Sequence, residues 1–360
     1  MKVVITAGGT GGHIYPALAI LNKIKEMEPD SEFIYIGTHN RMEKDIVPAH
    51  GINYVPIEIY GLAKNLKLMP RNIKNVFLIA KDYKKCLEIM KEFKPDIVMG
   101  FGGYVTFPVI KAANKLGIKT FIHEQNSIPG KANKGLLKNV DLIGVSFKDS
   151  LKYFEGYNAV MTGNPVSENA LKIDTISRTK YGMSKDKKAI LIVSGSLGSS
   201  VVNQKMEDFL FSIENEDYEV LYITGKNYYE EFSKKKFPKN VFVEPYVDNL
   251  SGLMKDMDLI VSRAGASSVS EIEALRLPAI LIPSPYVANN HQYYNALDLV
   301  NLKVAELIEE KNLNDNIIKV MVNELVYNDK LYNELKNNLE TLNTKESSSI
   351  IYDEIKELIK

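Results

Sequence analysis

A single cysteine, Cys86, stands in the whole chain of 360 residues. It permits no internal disulfide and offers no thiol cluster to a metal, which suits a reducing cytoplasm. No apolar run approaches the length of a membrane span, and nothing ahead of the first apolar run has the make-up of a secretory signal. The expectation is a protein that stays inside the cell and does not cross a bilayer. Net charge is missing too. The 45 Lys and Arg residues cancel 45 Asp and Glu, which removes the global positive field on which nucleic-acid binding relies. Any electrostatic signal must therefore be regional. The chain is long for one core, so two domains of ordinary size are expected.

What is present is a repeated design. Residues 2–7 (KVVITA) form a short β-branched run that breaks into GGTGGH (8–13), and then Ala17, Ile20, Leu21 and Ile24 take up helical spacing. This predicts strand, glycine loop, helix. Glycines let the backbone approach a ligand, and the unpaired N–H groups opening the helix attract phosphate. A glycine turn that only packs strand against helix is spelled the same way. Pro16 is expected in the first helical turn, where no N–H is lost. His13, beside the loop, could be a base or a structural hydrogen-bonder.

Residues 32–37 (EFIYIG) read as a second strand. A dinucleotide site wants Asp or Glu at its end, and Gly37 and Thr38 stand there instead, so an NAD-dependent oxidoreductase is the weakest reading. Residues 53–59 look like a third strand in which Pro56 suggests an irregularity. From Lys64 to Lys94 there are nine basic residues against three acidic. Ile73, Val76, Phe77, Ala80, Leu87 and Met90 follow a helical stripe that is expected to face the core. Leu66, Leu68 and Met69, in the preceding loop, are extra apolar groups among lysines, and such a stretch could rest on anionic lipid.

Residues 96–99 (DIVM) lead into GFGGY (100–104) and a helix carrying Pro108 near its start. Residues 119–122 deliver HEQN (123–126) at the carboxyl end of a strand, where open α/β sheets bind ligands. Glu124 could be a base, an orienting partner or a helix-capping carboxylate. Strands at 142–145 and 159–162 would complete a parallel sheet wound on both sides.

TGNPV (162–166) and the polar residues after it read as a connection. Residues 189–193 (AILIV) then run into SGSLGS (194–199) and a helix, so the second half restarts as the first began. Two such units with facing carboxyl edges would hold a ligand in the cleft between them. Further strands are expected at 219–224, 241–244, 259–261 and 279–282. The third of these meets RAGASSVSEIEAL (263–275). There Gly265 turns the chain, Ser268 and Glu271 have capping-box spacing, and the same helix start could hold a diphosphate while Glu271 accepts from ribose hydroxyls. His291, Gln292 and Asn295 follow in a polar loop entering a helix. Asp256 and Asp258 form a DxD pair, but they precede their strand and read as solvated surface, with no metal site indicated. Ile350, Ile351, Ile355 and Ile359 give the tail a final packing stripe.

GGTGGH, GFGGY, HEQN, TGNPV, SGSLGS, RAGASSVSE and HQYYNA, in this order and spacing, resemble the MurG family, the N-acetylglucosaminyl transferases of peptidoglycan synthesis. The resemblance runs from Val3 to about Leu307. It implies an α/β GT-B glycosyltransferase fold, two Rossmann-like domains facing across a cleft. It also implies an inverting transfer, needing neither metal nor cofactor, from UDP-N-acetylglucosamine to the muramyl 4-hydroxyl of lipid I, giving lipid II at the cytoplasmic membrane face. Residues 1–163 would then be an acceptor and membrane-facing domain and 164–345 a UDP-sugar domain, with 346–360 a helix returning to the first. By resemblance, Thr10, Gly11 and Gly12 belong to the first glycine loop. Asn126, Ser196, Asn203, Val247 and Gln292 match sugar-nucleotide positions, and Gly265, Ala266, Ser267, Ser268, Val269, Ser270 and Glu271 the helix start for diphosphate and ribose. His13 is the family's candidate base, with Tyr104 and Glu124 as neighbouring candidates. The implied partners are the UDP-sugar, lipid I and an anionic membrane surface, and no nucleic acid. The chain departs from the family pattern at Ser167, Leu197 and His291, where Arg, Gln and, in some members, Gln stand. The first departure touches a cationic contact and the others donor positioning. A UDP-sugar epimerase, a transferase with another lipid acceptor and a non-catalytic sugar-nucleotide sensor stay as alternatives.

Overall fold

The computed structural model describes residues 1–61, 69–194, 200–342 and 346–360, with 69–71, 73 and 74 described by their backbone. The expected contributions of Leu66, Lys67, Leu68, Ser196 and Leu197 lie outside the described residues. The chain divides into two compact units, Met1–Val166 with Glu346–Lys360, and Ser167–Lys345.

The first unit is built on a sheet of seven parallel strands. These are β1 (Lys2–Thr6), β2 (Glu32–Thr38), β3 (Asn53–Ile57), β4 (Ile97–Gly100), β5 (Lys119–Glu124), β6 (Leu142–Val145) and β7 (Ala159–Met161), in the order β3-β2-β1-β4-β5-β6-β7. Its helices are α1 (Gly11–Met27), α2 (Glu43–Ala49), α3 (Met69–Phe93), α4 (Thr106–Lys115) and α5 (Lys131–Leu136). The central strands are apolar on both faces, as a parallel sheet covered on two sides requires. Val3 and Ile5 pack into one buried layer, with Ile14, Ala17 and Ile20 of α1, while Val4 between them joins the other layer with Ile110 and Met90. Pro56 causes no break. It sits in register opposite Gly37 on an edge strand, where a missing N–H costs no ladder bond.

The second unit has six parallel strands, β8 (Lys188–Val193), β9 (Tyr218–Ile223), β10 (Val241–Glu244), β11 (Leu259–Ser262), β12 (Ala279–Leu281) and β13 (Ala305–Leu307), in the order β10-β9-β8-β11-β12-β13. Around it lie α6 (Val166–Lys172), α7 (Ser200–Ser212), α8 (Tyr229–Phe232), α9 (Leu250–Met254), α10 (Ala266–Ala274), α11 (His291–Asn301), α12 (Asp315–Tyr327) and α13 (Asp329–Thr341). The final helix, α14 (Ser347–Leu358), belongs to the first unit, where Ile351 and Ile355 are buried against the layer formed by α1.

Three expectations need correcting. Pro16 is not in the first turn, because α1 already begins at Gly11 inside the glycine motif; the proline sits in the second turn, where the Gly12 carbonyl loses its N–H partner. The stripe along α3 does not face the core throughout. Cys86 and Met90 are buried, but Val76 and Phe77 are 61% and 73% exposed, and Ala80 is exposed as well. Asp256 and Asp258 lie ahead of β11 but are not free in solvent. Asp256 accepts from the Arg178 N–H at 2.8 Å, and Asp258 from the Ala189 N–H at 2.9 Å and from Arg178 Nη1 at 3.0 Å. The pair ties the segment entering β8 to β11.

Candidate functional site

In each sheet the strand order reverses between the first strand of the unit and the fourth, and ligands bind outside the carboxyl ends of such neighbours. In the first unit these are β1 and β4, held in register from Val3 opposite Ile97 to Thr6 opposite Gly100. That register sets GGTGGH beside GFGGY. The Gly8 N–H donates to the Gly102 carbonyl at 3.2 Å, and the Phe101 N–H to the Thr6 carbonyl at 2.8 Å. Gly103, at φ +89°, leaves no room for a side chain, since a Cβ there would lie 2.5 Å from the Gly8 carbonyl oxygen. Gly102, at φ +100°, gives its space to His13; a Cβ would fall 2.8 Å from Cδ2 and 3.0 Å from Nε2 of that ring.

His13 lies in the first turn of α1 and is half-buried. Its Nδ1 is 3.0 Å from the Gly8 carbonyl, which has only lone pairs to offer, so Nδ1 carries the proton and neutral Nε2 is the basic nitrogen. Thr10, the N-cap, has no side-chain capping bond and places Oγ1 3.4 Å from the same Nδ1. Gly11 and Gly12, at the opening of α1, have N–H groups without an intrahelical partner. Tyr104 is 59% exposed, and its ring lies over Gly61.

HEQN continues this edge one strand further, but His123, Glu124 and Gln125 are buried, and Asn126 alone is partly exposed. Burial depresses the His123 pKa to about 4, and the neutral ring donates Nε2–H to the Gly163 carbonyl at 2.9 Å. Glu124 is buried and accepts four hydrogen bonds. Oε1 takes the Asn126 N–H at 3.1 Å and its Nδ2 at 3.3 Å; Oε2 takes the Gly130 N–H at 2.9 Å and Asn133 Nδ2 at 2.8 Å. Of its three readings this geometry matches the orienting and capping ones, since Gly130 is the N-cap of α5. Gln125 reaches back to the Phe101 carbonyl at 2.9 Å, joining HEQN to GFGGY.

In the second unit the reversal lies between β8, which ends at Val193, and β11, which runs into RAGASS. Gly265 is the N-cap of α10, and no side chain caps the helix. The capping box of Ser268 and Glu271 does not form, because Ser268 lies inside the first turn and Glu271 turns to Ser251, accepting from its hydroxyl at 3.2 Å. The N–H groups of Ala266, Ser267 and Ser268 are thus left for an anion, and Ser267 Oγ has no partner among the described residues. Val269 and Ser270 are buried under this end. Burial pushes the Glu271 carboxyl up to about 7, with the Ser251 bond opposing. Gln292, in the first turn of α11, accepts from the Ser284 N–H at 2.9 Å through Oε1, so its NH2 group is left to donate. Val247 is buried in the loop after β10. Asn203 is committed to the interior: Oδ1 accepts from the Tyr222 hydroxyl and Nδ2 donates to the Thr224 carbonyl at 3.2 Å.

Glu43 escaped the sequence reading, and Asn295, named there among the polar residues entering α11, turns inward. Glu43 is wholly buried under the first glycine loop and accepts from the Gly9 N–H at 3.2 Å. Asn295, also fully buried, donates to the Ala264 carbonyl at 3.1 Å and holds the turn ahead of α10. Neither belongs to a glycine motif. The only sign for Glu43 was an acidic residue near a strand end that itself lacks one.

Two family models match the chain, the glycosyltransferase family 28 N-terminal domain over residues 3–144 and the family 28 C-terminal domain over residues 189–352. Relatives from Bacillus licheniformis and Bacillus subtilis are each 39% identical, over 99% and 100% of both chains respectively. Both carry the name UDP-N-acetylglucosamine–N-acetylmuramyl-(pentapeptide) pyrophosphoryl-undecaprenol N-acetylglucosamine transferase. The crystal structure of Acinetobacter baumannii MurG matches with a TM-score of 0.80 at 25% identity, covering 99% of both chains. Alike over its full length in sequence and in fold, the chain belongs to the MurG family of glycosyltransferases, within family 28.

Proposed function

We propose that this chain transfers N-acetylglucosamine from UDP-N-acetylglucosamine to the 4-hydroxyl of the undecaprenyl-diphosphate-linked muramyl pentapeptide, lipid I, giving lipid II for peptidoglycan. The observation that carries this is the 39% identity, end to end, to enzymes named for that transfer. The residues fit the chemistry. The acceptor hydroxyl must lose a proton, and Nε2 of His13 is a base held in one tautomer at the carboxyl edge of the first sheet. Its oxygen forms the new bond to C1 of the sugar on the face opposite the departing diphosphate, which leaves with the bonding electron pair. The charge that grows on the diphosphate is met by the uncapped N-terminus of α10 and the Ser267 hydroxyl, while Glu271 accepts from the ribose and Gln292 donates to the sugar. Thr10, Gly11 and Gly12 serve the acceptor side, with Tyr104 beside them. Val247 and Asn126 are further sugar-nucleotide positions in this reading, and Asn203 contributes as a support.

Residues 1–163 form the acceptor and membrane-facing domain in this reading and 164–345 the UDP-sugar domain. No described helix is long and apolar enough to cross a membrane. Exposed Val76 and Phe77 on α3, within the basic stretch, support docking on an anionic bilayer at its cytoplasmic face.

The test is transfer of labelled N-acetylglucosamine to a short-chain lipid I analogue, with chelator present and His13→Ala in parallel. Transfer that survives chelator and falls about 10²- to 10⁴-fold in the variant, with UDP binding intact, is expected. UDP-sugar binding without transfer under any condition would overturn the assignment.

A further inference from the structure

We propose that Glu43 is a positioning residue for His13 and acts on it through one peptide group, the amide joining Gly8 to Gly9. The relay rests on the transferase reading above, in which His13 takes the acceptor proton. The N–H of that amide donates to Glu43 Oε2 at 3.2 Å, and its carbonyl accepts from His13 Nδ1 at 3.0 Å. Carboxylate, amide and imidazole therefore form one hydrogen-bonded chain, ending on the basic nitrogen Nε2.

The surroundings are shaped to keep the carboxylate there. Glu43 is the first residue of α2 and wholly buried. Its other oxygen, Oε1, accepts from the Thr38 N–H at 3.1 Å and from the Thr38 hydroxyl. All three donors are neutral, and no ion pair forms with Glu43 among the described residues. Burying a carboxylate on such terms is costly, so its place under the loop calls for a function. Two glycines make way for it: a Cβ on Gly8 would lie 2.5 Å from Oε1, and one on Gly37 would lie 2.9 Å from Cγ. Gly37 is the strand end where a dinucleotide-binding protein would carry an acid. Here the acid comes from α2 and points beneath the loop.

Hydrogen bonds in series polarise one another, the more so in a low dielectric. A carboxylate on the amide N–H makes the carbonyl oxygen a stronger acceptor. When the acceptor hydroxyl passes its proton to Nε2, as its oxygen bonds to C1 and the C1–oxygen pair leaves with UDP, the new imidazolium is stabilised through Nδ1–H. The titratable groups facing Glu43 are Tyr35 on β2 and Tyr54 on β3, with Asp45 of α2 acting on Tyr54. The residues touching His13, namely Gly8, Thr10 and Gly102, are not titratable themselves; the titratable side chains of these segments are Tyr15 on α1 and Tyr104 after Gly103.

The experiment compares the full chain with Glu43→Gln, Glu43→Asp, His13→Ala and the double variant Glu43→Gln with His13→Ala. Glu43→Gln is expected to lower kcat about tenfold with KM for UDP-N-acetylglucosamine unchanged, and to move the acid limb of the kcat/KM profile to lower pH. Glu43→Asp should recover part of the rate. In the His13→Ala background Glu43→Gln should cost nothing more, because both changes break one chain. Losses that multiply, or an acid limb that stays in place, overturn the relay. A second measurement needs no change at position 43. In ¹⁵N-histidine spectra of the parent, with the signal assigned through His13→Ala, neutral His13 should carry its proton on Nδ1, and a proton on Nε2 overturns the relay. This reading is independent of turnover, so absence of transfer in the parent would sink the transferase assignment while the spectrum still decided the relay.

Discussion

Glu28, at the end of α1, accepts hydrogen bonds from the Tyr352 hydroxyl at 2.9 Å and from Lys356 Nζ at 2.7 Å, both on α14. The Lys356 bond is the main reason why the Glu28 carboxyl drops to about 2, with Tyr352 adding and burial opposing. A carboxyl lowered on folding contributes stability that is present above 4.5 and lost as pH falls toward about 2. Because Lys356 is 39% exposed, solvent screens the pair and the effect is small. Glu28→Gln should speed amide exchange in α14 at neutral pH, and the difference should fade across that acid window. Equal exchange in the two proteins at neutral pH would count against the latch.

Gly103 and Gly9 both have positive φ, but their surroundings differ. A Cβ on Gly103 meets the Gly8 carbonyl, whereas one on Gly9 meets nothing within 4 Å. Gly9→Ala should cost about 1–2 kcal/mol of backbone strain. Gly103→Ala adds a backbone clash that pushes the two glycine loops apart, so it should melt lower and lose transfer. Melting curves and rates for both variants test the ranking, and equal losses would refute it.

Replacing Glu124 by Gln puts an NH2 group against N–H donors, and at least two of its four bonds are lost. A buried donor left unpaired costs about 1–3 kcal/mol. Glu124→Gln should therefore lower both Tm and activity, without moving the acid limb of the pH–rate profile. A shifted limb with an unchanged Tm would instead restore Glu124 as a base.

Glu271 gives stability the opposite slope to Glu28. A carboxyl raised by burial holds its proton in the folded state, so stability falls as pH rises from 4.5 to about 7, and the loss persists above that. Glu271→Gln should gain melting temperature relative to the parent above about pH 7, lose that gain below 4.5, and weaken UDP binding. Glu273, likewise pushed up to about 7 by burial with Asp298 adding, keeps part of the slope in the variant. A parent-to-variant difference independent of pH would disprove the assignment.

Membrane docking predicts that Phe77→Ser, or charge reversal at Lys67, Arg71 and Lys74, weakens sedimentation with anionic vesicles while leaving UDP binding unchanged. Neutral vesicles are the control, and undiminished binding by these variants would remove the proposal.

The strand–loop–helix repeats were legible because a fully buried parallel strand leaves an apolar run and a close backbone approach leaves glycine. His13 and the α10 helix start could be found the same way. β13 was missed since three residues, one of them Glu306, carry no period. Val76 and Phe77 were misjudged because helical spacing marks a face without saying what covers it. Glu43 was missed, and the partners of Gln125 and Asn295 went unread, for another reason. Each bonds a backbone group that the fold brings close, Gly9, Phe101 and Ala264 in turn, and such a partner is invisible to side-chain patterns.

The first unit is not one stretch of chain: it needs α14, which is made after the whole second unit. On the ribosome the second unit, an unbroken segment, can close upon itself while the opening sheet still waits for Ile351 and Ile355 to cover its apolar layer. Nascent chains halted before α14 should therefore bind chaperones through the first unit, although its strands were synthesised ahead of those of the second.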